Sequence, residues 1–173
     1  LIPDALNPTK GVRKYKQISR AQFLSQDDLQ RLAKALHEAL LRNEASRIQV
    51  ATILLLLFTG ARRSEIFTLK RNYVDRHRMS AHLPDSKTGK KVLHLGPFAM
   101  SILDAIPEVE GNPYYMVGRK AGSCISEIKK PRDKIRKRAG LEGFRLHDFR
   151  HSYASFAGDQ GASARAVGAL HGH

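Results

Sequence analysis

Residues near the end of the chain combine histidine and arginine in a pattern suited to phosphate chemistry. The segment Leu146 to His151 contains a His-x-x-Arg pair, His147 and Arg150, and a further histidine, His173, is the final residue. Arginine offers a phosphate a planar fork of N–H donors, and imidazole can donate a hydrogen bond or transfer a proton near neutral pH. The pattern therefore indicates chemistry on a phosphate group.

Two upstream segments add cationic side chains at places where the backbone turns. With 30 Lys and Arg and 8 His in the chain, a His-x-x-Arg pair alone is weak evidence. An apolar run, Ala51 to Phe58, precedes Gly60, which predicts the end of one helix and a new helix starting near Arg62. The segment Asp85 to Lys90 lies between two strand-like runs and predicts a hairpin with Lys87 near its turn.

Taken in chain order, these residues resemble the catalytic core of the tyrosine recombinases, the phage integrase family. The matching residues are Arg62 in Thr-Gly-x-Arg-x-x-Glu, Lys87, His147, Arg150 and His173. The segments Asn7 to Val12 and Phe23 to Ser25 also resemble the linker and entry of an integrase catalytic domain, so the likeness covers nearly the whole chain. It implies a mainly α domain with a small antiparallel β-sheet, acting in site-specific DNA recombination or integration by a prophage or mobile element.

The resemblance also implies a mechanism and a role for each matching residue. A tyrosine cuts one DNA strand to form a 3′-phosphotyrosyl link, which a 5′-hydroxyl then attacks, with no metal and no other cofactor. Arg62 and Arg150 would clamp the phosphate, while His147 and His173 would add hydrogen bonds and His147 would help move the tyrosine proton. Lys87 would protonate the departing 5′-oxygen.

Glu65 is predicted to support Arg62 rather than to react. It follows Arg62 by three residues, so its carboxylate can hold the guanidinium or a nearby backbone amide one helical turn away. The neighbouring Arg63 and His151 are predicted to point to other faces of their helices, as a surface residue and a packing residue.

The nucleophilic tyrosine of the family has no match in this chain. It should lie roughly ten residues beyond the last histidine, and none of the five tyrosines, Tyr15, Tyr73, Tyr114, Tyr115 and Tyr153, follows His173. Tyr153 lies one helical turn after Arg150 and is predicted to pack in the core. A second departure is His171, where the family usually has leucine. We expect a fragment of a longer protein that does not complete strand cleavage alone.

Length and composition predict a single catalytic domain over residues 21–173. The 173 residues are 42% hydrophobic, enough for one core. Residues 1–20 are predicted to form a basic interdomain linker lying along DNA, through Lys10, Arg13, Lys14 and Lys16.

The longest apolar run is far below the roughly 18 residues of a membrane span, and the single cysteine, Cys124, fits a reducing cytoplasm. We expect a cytoplasmic, nucleoid-associated protein without a membrane partner.

The net charge of +14 indicates a polyanionic partner, which we take to be double-stranded DNA. Residues 119–138 contain nine basic and two acidic residues, half of that net charge. Three isoleucines at 125, 128 and 135 lie on one side of the helix predicted here, so that the other side can present cations to phosphates, and Pro131 is predicted to kink or restart it. The predicted DNA-binding residues in this region are Arg119, Lys120, Lys129, Lys130 and Arg132.

Hydrophobic periodicity and capping residues predict the remaining elements. Helices are expected from Ser25 to Arg42 and from Ser46 to Phe58, and over 62–69, 97–105, 125–139, 147–158 and 163–171. Strands are expected at about 73–75, 79–83 and 91–95, and residues 113–117 favour a short strand or an irregular connection.

Two other functions remain open on the sequence. A type IB topoisomerase uses a similar phosphate clamp, although the linker and the compact size favour recombination. The chain could instead be a DNA-binding module without catalytic activity that occupies sites or regulates partners. For the recombinase, the resemblance implies a synaptic tetramer on DNA, and a monomer when free.

Overall fold

A computed structural model describes residues 23–86 and 89–159 as six helices and one small sheet. The helices are α1 (Gln26–Leu41), α2 (Arg47–Thr59), α3 (Arg63–Phe67), α4 (Pro97–Asp104), α5 (Lys129–Arg138) and α6 (Leu146–Asp159). The strands are β1 (Val74–Asp75), β2 (Ser80–Ser86) and β3 (Gly89–His94), and a 3-10 turn at Arg71–Tyr73 leads into β1. The predicted fold class, mainly helical with a small antiparallel sheet, is confirmed.

The two long N-terminal helices begin at the predicted serines. Ser25 and Ser46 each accept a backbone N–H from the third residue of the helix, and that residue's side chain, from Asp28 or Gln49, accepts the serine N–H in return. Such reciprocal capping satisfies donors that the first helical turn leaves unpaired. Helix α2 is apolar on all sides because α1, α3, α4 and α6 pack around it.

Helix α2 ends at Gly60, as the sequence predicts, in a left-handed backbone conformation with φ of 60°. Glycine tolerates this conformation because it has no Cβ. The side chain of Thr59 supports the turn by accepting the Ala61 N–H at 3.2 Å and donating to the Leu55 carbonyl at 2.6 Å. Helix α6 packs so closely on the turn at Gly60 that a Cβ on this glycine would lie 2.5 Å from the Tyr153 ring.

The three strands form an antiparallel sheet in the order β1-β2-β3. In the hairpin, Ala81 pairs with Leu93 and Leu83 pairs with Lys91. Side chains alternate between the faces of a strand, so Lys91 shares the core-facing side with the buried Leu93, while Lys90 and Val92 are exposed. This hairpin therefore carries a lysine on its inner face.

One predicted element differs in the structure, and another cannot be compared. Helix α5 begins at Lys129 rather than near residue 125, because backbone pairing of Cys124 with Val117 and a bond from the Ile125 N–H to the Met116 carbonyl keep that segment extended. Pro131 consequently lies in the first helical turn, where it needs no N–H partner and makes no kink. Residues 113–117 form the irregular connection of the two predicted alternatives, with isolated bridges from Tyr114 to Lys70 and from Val117 to Cys124. The helix predicted over 163–171 lies outside the described residues.

Candidate functional site: an arginine corner at the start of α3

Arg62 lies where the chain leaves Gly60 and enters α3. Its backbone is extended, with φ of −70° and ψ of 151°, and it forms the N-cap of α3. The Arg62 N–H donates to Glu65 Oε2 at 2.8 Å, and its Nη1 donates to Glu65 Oε1 at 3.2 Å. Glu65 thus holds both the backbone and the guanidinium of Arg62, the two contacts that the three-residue spacing suggests.

Arg150 reaches the same corner from α6. Its Nη1 donates to the Gly60 carbonyl at 2.7 Å, and the residue is only 7% exposed. Burial lowers the pKa of Arg150 from its usual value, and the charge of Arg62 lowers it further while Glu65 opposes the change. Two guanidinium groups from separate helices therefore meet beside Gly60.

Lys91 is a third cation at this corner, and sequence reasoning missed it. Its Nζ lies 3.1 Å from Glu65 Oε2 and 3.3 Å from Oε1, and its side chain is 7% exposed. Burial lowers the pKa of Lys91, and the bonds to Glu65 oppose that effect. The available signal was its spacing, two and four residues before the inward-facing Leu93 and Leu95, which places a lysine on the buried side of the strand.

His147 lies in the first turn of α6, three residues before Arg150 and on the same side of the helix. The residue is exposed, and its ring meets the His151 ring edge-on at 4.7 Å between centroids. Desolvation lowers the pKa of His147, and the nearby charges of His151 and Arg150 lower it further. At neutral pH the ring is therefore mainly uncharged and able to accept a proton.

The position of α6 is set by contacts at its first two turns. The Asp148 carboxylate accepts the Arg145 N–H at 2.6 Å, and the Phe149 ring packs against Phe144 with centroids 5.1 Å apart. Ser152 accepts the Leu24 N–H at 3.0 Å, which joins the helix to the segment that precedes α1. These contacts hold His147 and Arg150 at the corner.

Tyr153 packs its ring against Gly60 on the side of α6 that faces the corner. Burial raises the pKa of its phenol, which disfavours the phenolate that a nucleophile needs. The environment is that of a packing residue.

Several predicted residues lie outside the described part of the chain. The predicted catalytic residues in this group are Lys87 and His173. The predicted DNA-binding residues in it are Lys10, Arg13, Lys14 and Lys16.

Among residues 23–86 and 89–159, no group of three or more His, Cys, Asp or Glu side chains could hold a metal ion. In the same ranges, no helix has the length and apolar character to cross a membrane.

The basic segment around α5 divides into an inward and an outward set. Arg138 pairs with Glu44 at 2.7 Å, Arg136 bonds to the Phe144 carbonyl, and Arg132 is half-buried and pairs with Asp133 at 2.8 Å. The exposed cations of the segment are Arg119, Lys120, Lys129, Lys130, Lys134 and Lys137. At 100° per residue, the four lysines of α5 fall within about 140° of its circumference, which makes one cationic face.

Comparison with known proteins agrees with this architecture. The chain is 28% identical to the prophage integrase IntF of Escherichia coli K12 over 163 residues, which is 91% of this chain and 34% of that protein. It is 24% identical to the tyrosine recombinase XerC of Staphylococcus aureus USA300 over 183 aligned positions, 100% of this chain and 60% of that protein. The chain therefore spans between about a third and three-fifths of these relatives.

The solved structure of the XerH site-specific recombinase, bound to its difH substrate before cleavage, superimposes with a TM-score of 0.70 at 19% identity. The match covers 92% of this chain and 49% of that one. The fold is thus that of a tyrosine recombinase catalytic domain. The family profile described as the phage integrase family matches residues 22–173, and this chain belongs to that family.

Proposed function

We propose that this chain is the catalytic domain of a tyrosine-type recombinase that integrates or exchanges DNA at specific sites through a 3′-phosphotyrosyl intermediate. The observation that carries the proposal is the meeting of Arg62 and Arg150 beside Gly60, with a neutral, exposed His147 on the same helix face as Arg150. Two guanidinium groups at one point suit a phosphate whose non-bridging oxygens gain charge in the transition state.

Each residue has a distinct role in this proposal. Arg62 and Arg150 bind the non-bridging oxygens, and His147 accepts the tyrosine proton as the new bond to phosphorus forms. His173 adds a hydrogen bond to the phosphate, and Lys87 donates the proton that leaves with the 5′-oxygen. Glu65 holds Arg62 in place.

The partners follow from the same proposal. Residues 1–20 form the basic linker and residues 21–173 the catalytic domain, both lying on double-stranded DNA. The protein is a monomer when free and acts on DNA within a synaptic tetramer, in the cytoplasm with the nucleoid. The XerH relative, whose structure contains its difH substrate, supports DNA as the partner.

The nucleophile is proposed to come from a tyrosine outside residues 1–173. None of the five tyrosines follows His173, and Tyr153 is packed on Gly60 with its pKa raised. The 173-residue chain should therefore form no covalent complex with a nicked suicide substrate on a denaturing gel. A covalent band that disappears in Tyr153→Phe would make Tyr153 the attacking group.

The direct test uses a version of the protein that continues past His173 through a tyrosine. That protein should give a covalent band, and Arg150→Ala should slow its formation about a hundred- to a thousand-fold, the usual cost of one such donor, with a far smaller loss of DNA affinity. Arg63→Ala is the matched control, because Arg63 is exposed and stacks over Phe67. If the longer wild-type protein binds DNA without any covalent band, the chain is a binding module instead.

A further inference from the structure

The ion pair between Lys91 and Glu65 is an unusual feature for a strand in a surface hairpin. Lysine normally keeps its ammonium group in water, yet the side chains of Lys91 and Glu65 are only 7% and 3% exposed. Desolvating two charges costs several kcal/mol for each ion, and their attraction offsets this only with close geometry and further hydrogen bonds. The pair therefore needs an explanation beyond stability.

The geometry links this pair directly to Arg62. Both Glu65 oxygens are shared: Oε1 accepts from Arg62 Nη1 and from Lys91, and Oε2 accepts from the Arg62 backbone and from Lys91. One carboxylate therefore serves two cations. The set of Arg62, Glu65 and Lys91 carries one net positive charge at the place proposed for the phosphate.

Removing Lys91 would change how Glu65 acts on Arg62. Without Lys91, the Glu65 carboxylate would offset more of the Arg62 charge and would compete more strongly with a phosphate for the Arg62 N–H groups. The protein would also lose the two hydrogen bonds from Lys91 in β3 to Glu65 in α3, residues that are 26 apart in sequence. Glu65 orients Arg62, and Lys91 reduces the extent to which the Glu65 carboxylate neutralises the charge of Arg62.

We propose that Lys91 is a positioning residue, which balances the charge of Glu65 and ties the hairpin to α3 so that Arg62 keeps its positive charge for the scissile phosphate. This inference rests on the proposed recombinase function. It differs from the role of Lys87, because Lys91 donates to Glu65 and acts through it rather than by proton transfer to DNA.

The test compares single-turnover cleavage of a nicked substrate by the full-length protein and four variants: Lys91→Met, Glu65→Gln, the double variant, and Lys90→Met. Lys90 is the matched control because it is the adjacent lysine on the exposed face of β3. Lys91→Met should lower the cleavage rate about tenfold or more, as expected for the loss of roughly one charge interaction near the transition state. Its DNA dissociation constant should change far less, and Lys90→Met should cleave like the wild type.

The double variant distinguishes charge balance from general damage to the fold. Glu65→Gln removes the uncompensated carboxylate but keeps an oxygen that can accept from Arg62. Lys91→Met/Glu65→Gln should therefore cleave faster than Lys91→Met when both are assayed at a temperature where they are folded. A substrate with a bridging 5′-sulfur should leave Lys91→Met as slow as before, since no proton donor has been lost.

Three results would overturn the inference while leaving the proposed function intact: wild-type cleavage by Lys91→Met, no gain in the double variant, or rescue of Lys91→Met by the sulfur substrate. A lower melting temperature with an unchanged cleavage rate at a temperature where the variant is folded would assign Lys91 to stability alone. If the wild-type protein itself cleaves no DNA, the proposed function and this inference fail together.

Discussion

At the scale of single residues, the two arginines of the corner are held by different kinds of acceptor. Arg62 pairs with the carboxylate of Glu65, which Lys91 shares, whereas Arg150 donates to the neutral carbonyl of Gly60. The Glu65 carboxylate also acts on Arg150 and raises its pKa, against the larger effects of burial and of the Arg62 charge. Arg150→Ala removes the guanidinium but leaves its backbone acceptor and the Arg62–Glu65 pair in place.

The role proposed for Lys87 has a separate chemical test in the longer protein. A 5′-oxygen leaves with a proton, but a bridging 5′-sulfur is a good leaving group without one. Cleavage by Lys87→Ala should therefore be restored by the sulfur substrate, whereas cleavage by Arg150→Ala should remain slow, because that variant lacks charge stabilisation rather than a proton. Rates on the two substrates in single-turnover assays give the answer. Equal rescue of both variants, or of neither, would remove Lys87 from the general-acid role.

Glu65 and Lys91 show which site residues a sequence can reveal. Glu65 could be predicted because its contact with Arg62 is local, within one turn of the same helix. Lys91 contacts Glu65 only when the hairpin packs against α3. The alternation of side chains along a strand predicts that Lys91 faces the core, but it does not predict that a carboxylate lies there. Local spacing thus predicts supporting contacts within an element, while contacts between elements depend on tertiary packing.

At the scale of elements, the corner between α2 and α3 makes the site possible. The left-handed turn at Gly60 ends α2, and α6 can then approach closely enough for Tyr153 to pack on the glycine and for Arg150 to bond its carbonyl. A side chain at this point would separate α6 from α3. The distance between the two arginines therefore depends on a residue that has no side chain of its own.

Gly60→Ala should destabilise the 173-residue chain by more than the strain of a left-handed alanine, which is about 1–2 kcal/mol. The new Cβ would also clash with the Tyr153 ring, 2.5 Å away. Gly140→Ala is the control, since Gly140 has a similar φ of 69° with no atom near the added Cβ. The measurement is denaturant unfolding of both variants, with Gly60→Ala repeated in a Tyr153→Ala background, where its cost should fall toward that of Gly140→Ala. An unchanged cost in that background would mean that the ring does not restrict the glycine.

The sequence predicts helix starts well where the signal is local. Helices α1 and α2 begin after Ser25 and Ser46 because each serine completes a capping pair within four residues. The predicted start of α5 near residue 125 is wrong because two long-range contacts, Ile125 with Met116 and Cys124 with Val117, compete with the helix. Glu127 then caps the new start by accepting the N–H groups of Ile128 and Lys129.

At the scale of the whole molecule, the basic residues of segment 119–138 divide into those that make contacts within the protein and those that face solvent. Arg138 pairs with Glu38 and Glu44 and so joins α5 to α1 and to the loop that follows it. The arginines of α5 thus serve largely internal contacts, while its lysines face solvent. This division fits the two side chains, because the planar guanidinium can satisfy several acceptors when partly buried and the ammonium is strongly hydrated.

The cationic face of α5 predicts how DNA binding depends on salt. If the 173-residue chain neutralises on the order of five phosphates, log affinity should fall with log salt at a slope of roughly −4 to −5, with little preference for sequence. Replacing Lys129, Lys130, Lys134 and Lys137 by glutamine should make that slope shallower by about 0.9 for each phosphate that is no longer neutralised. Lys34→Gln, an exposed change on α1, should leave it unaltered. Fluorescence anisotropy titrations over a range of salt concentrations measure these slopes. A slope near zero in the wild-type chain would contradict a polyanionic partner, and an unchanged slope in the four-lysine variant would place the DNA-binding surface elsewhere on the molecule.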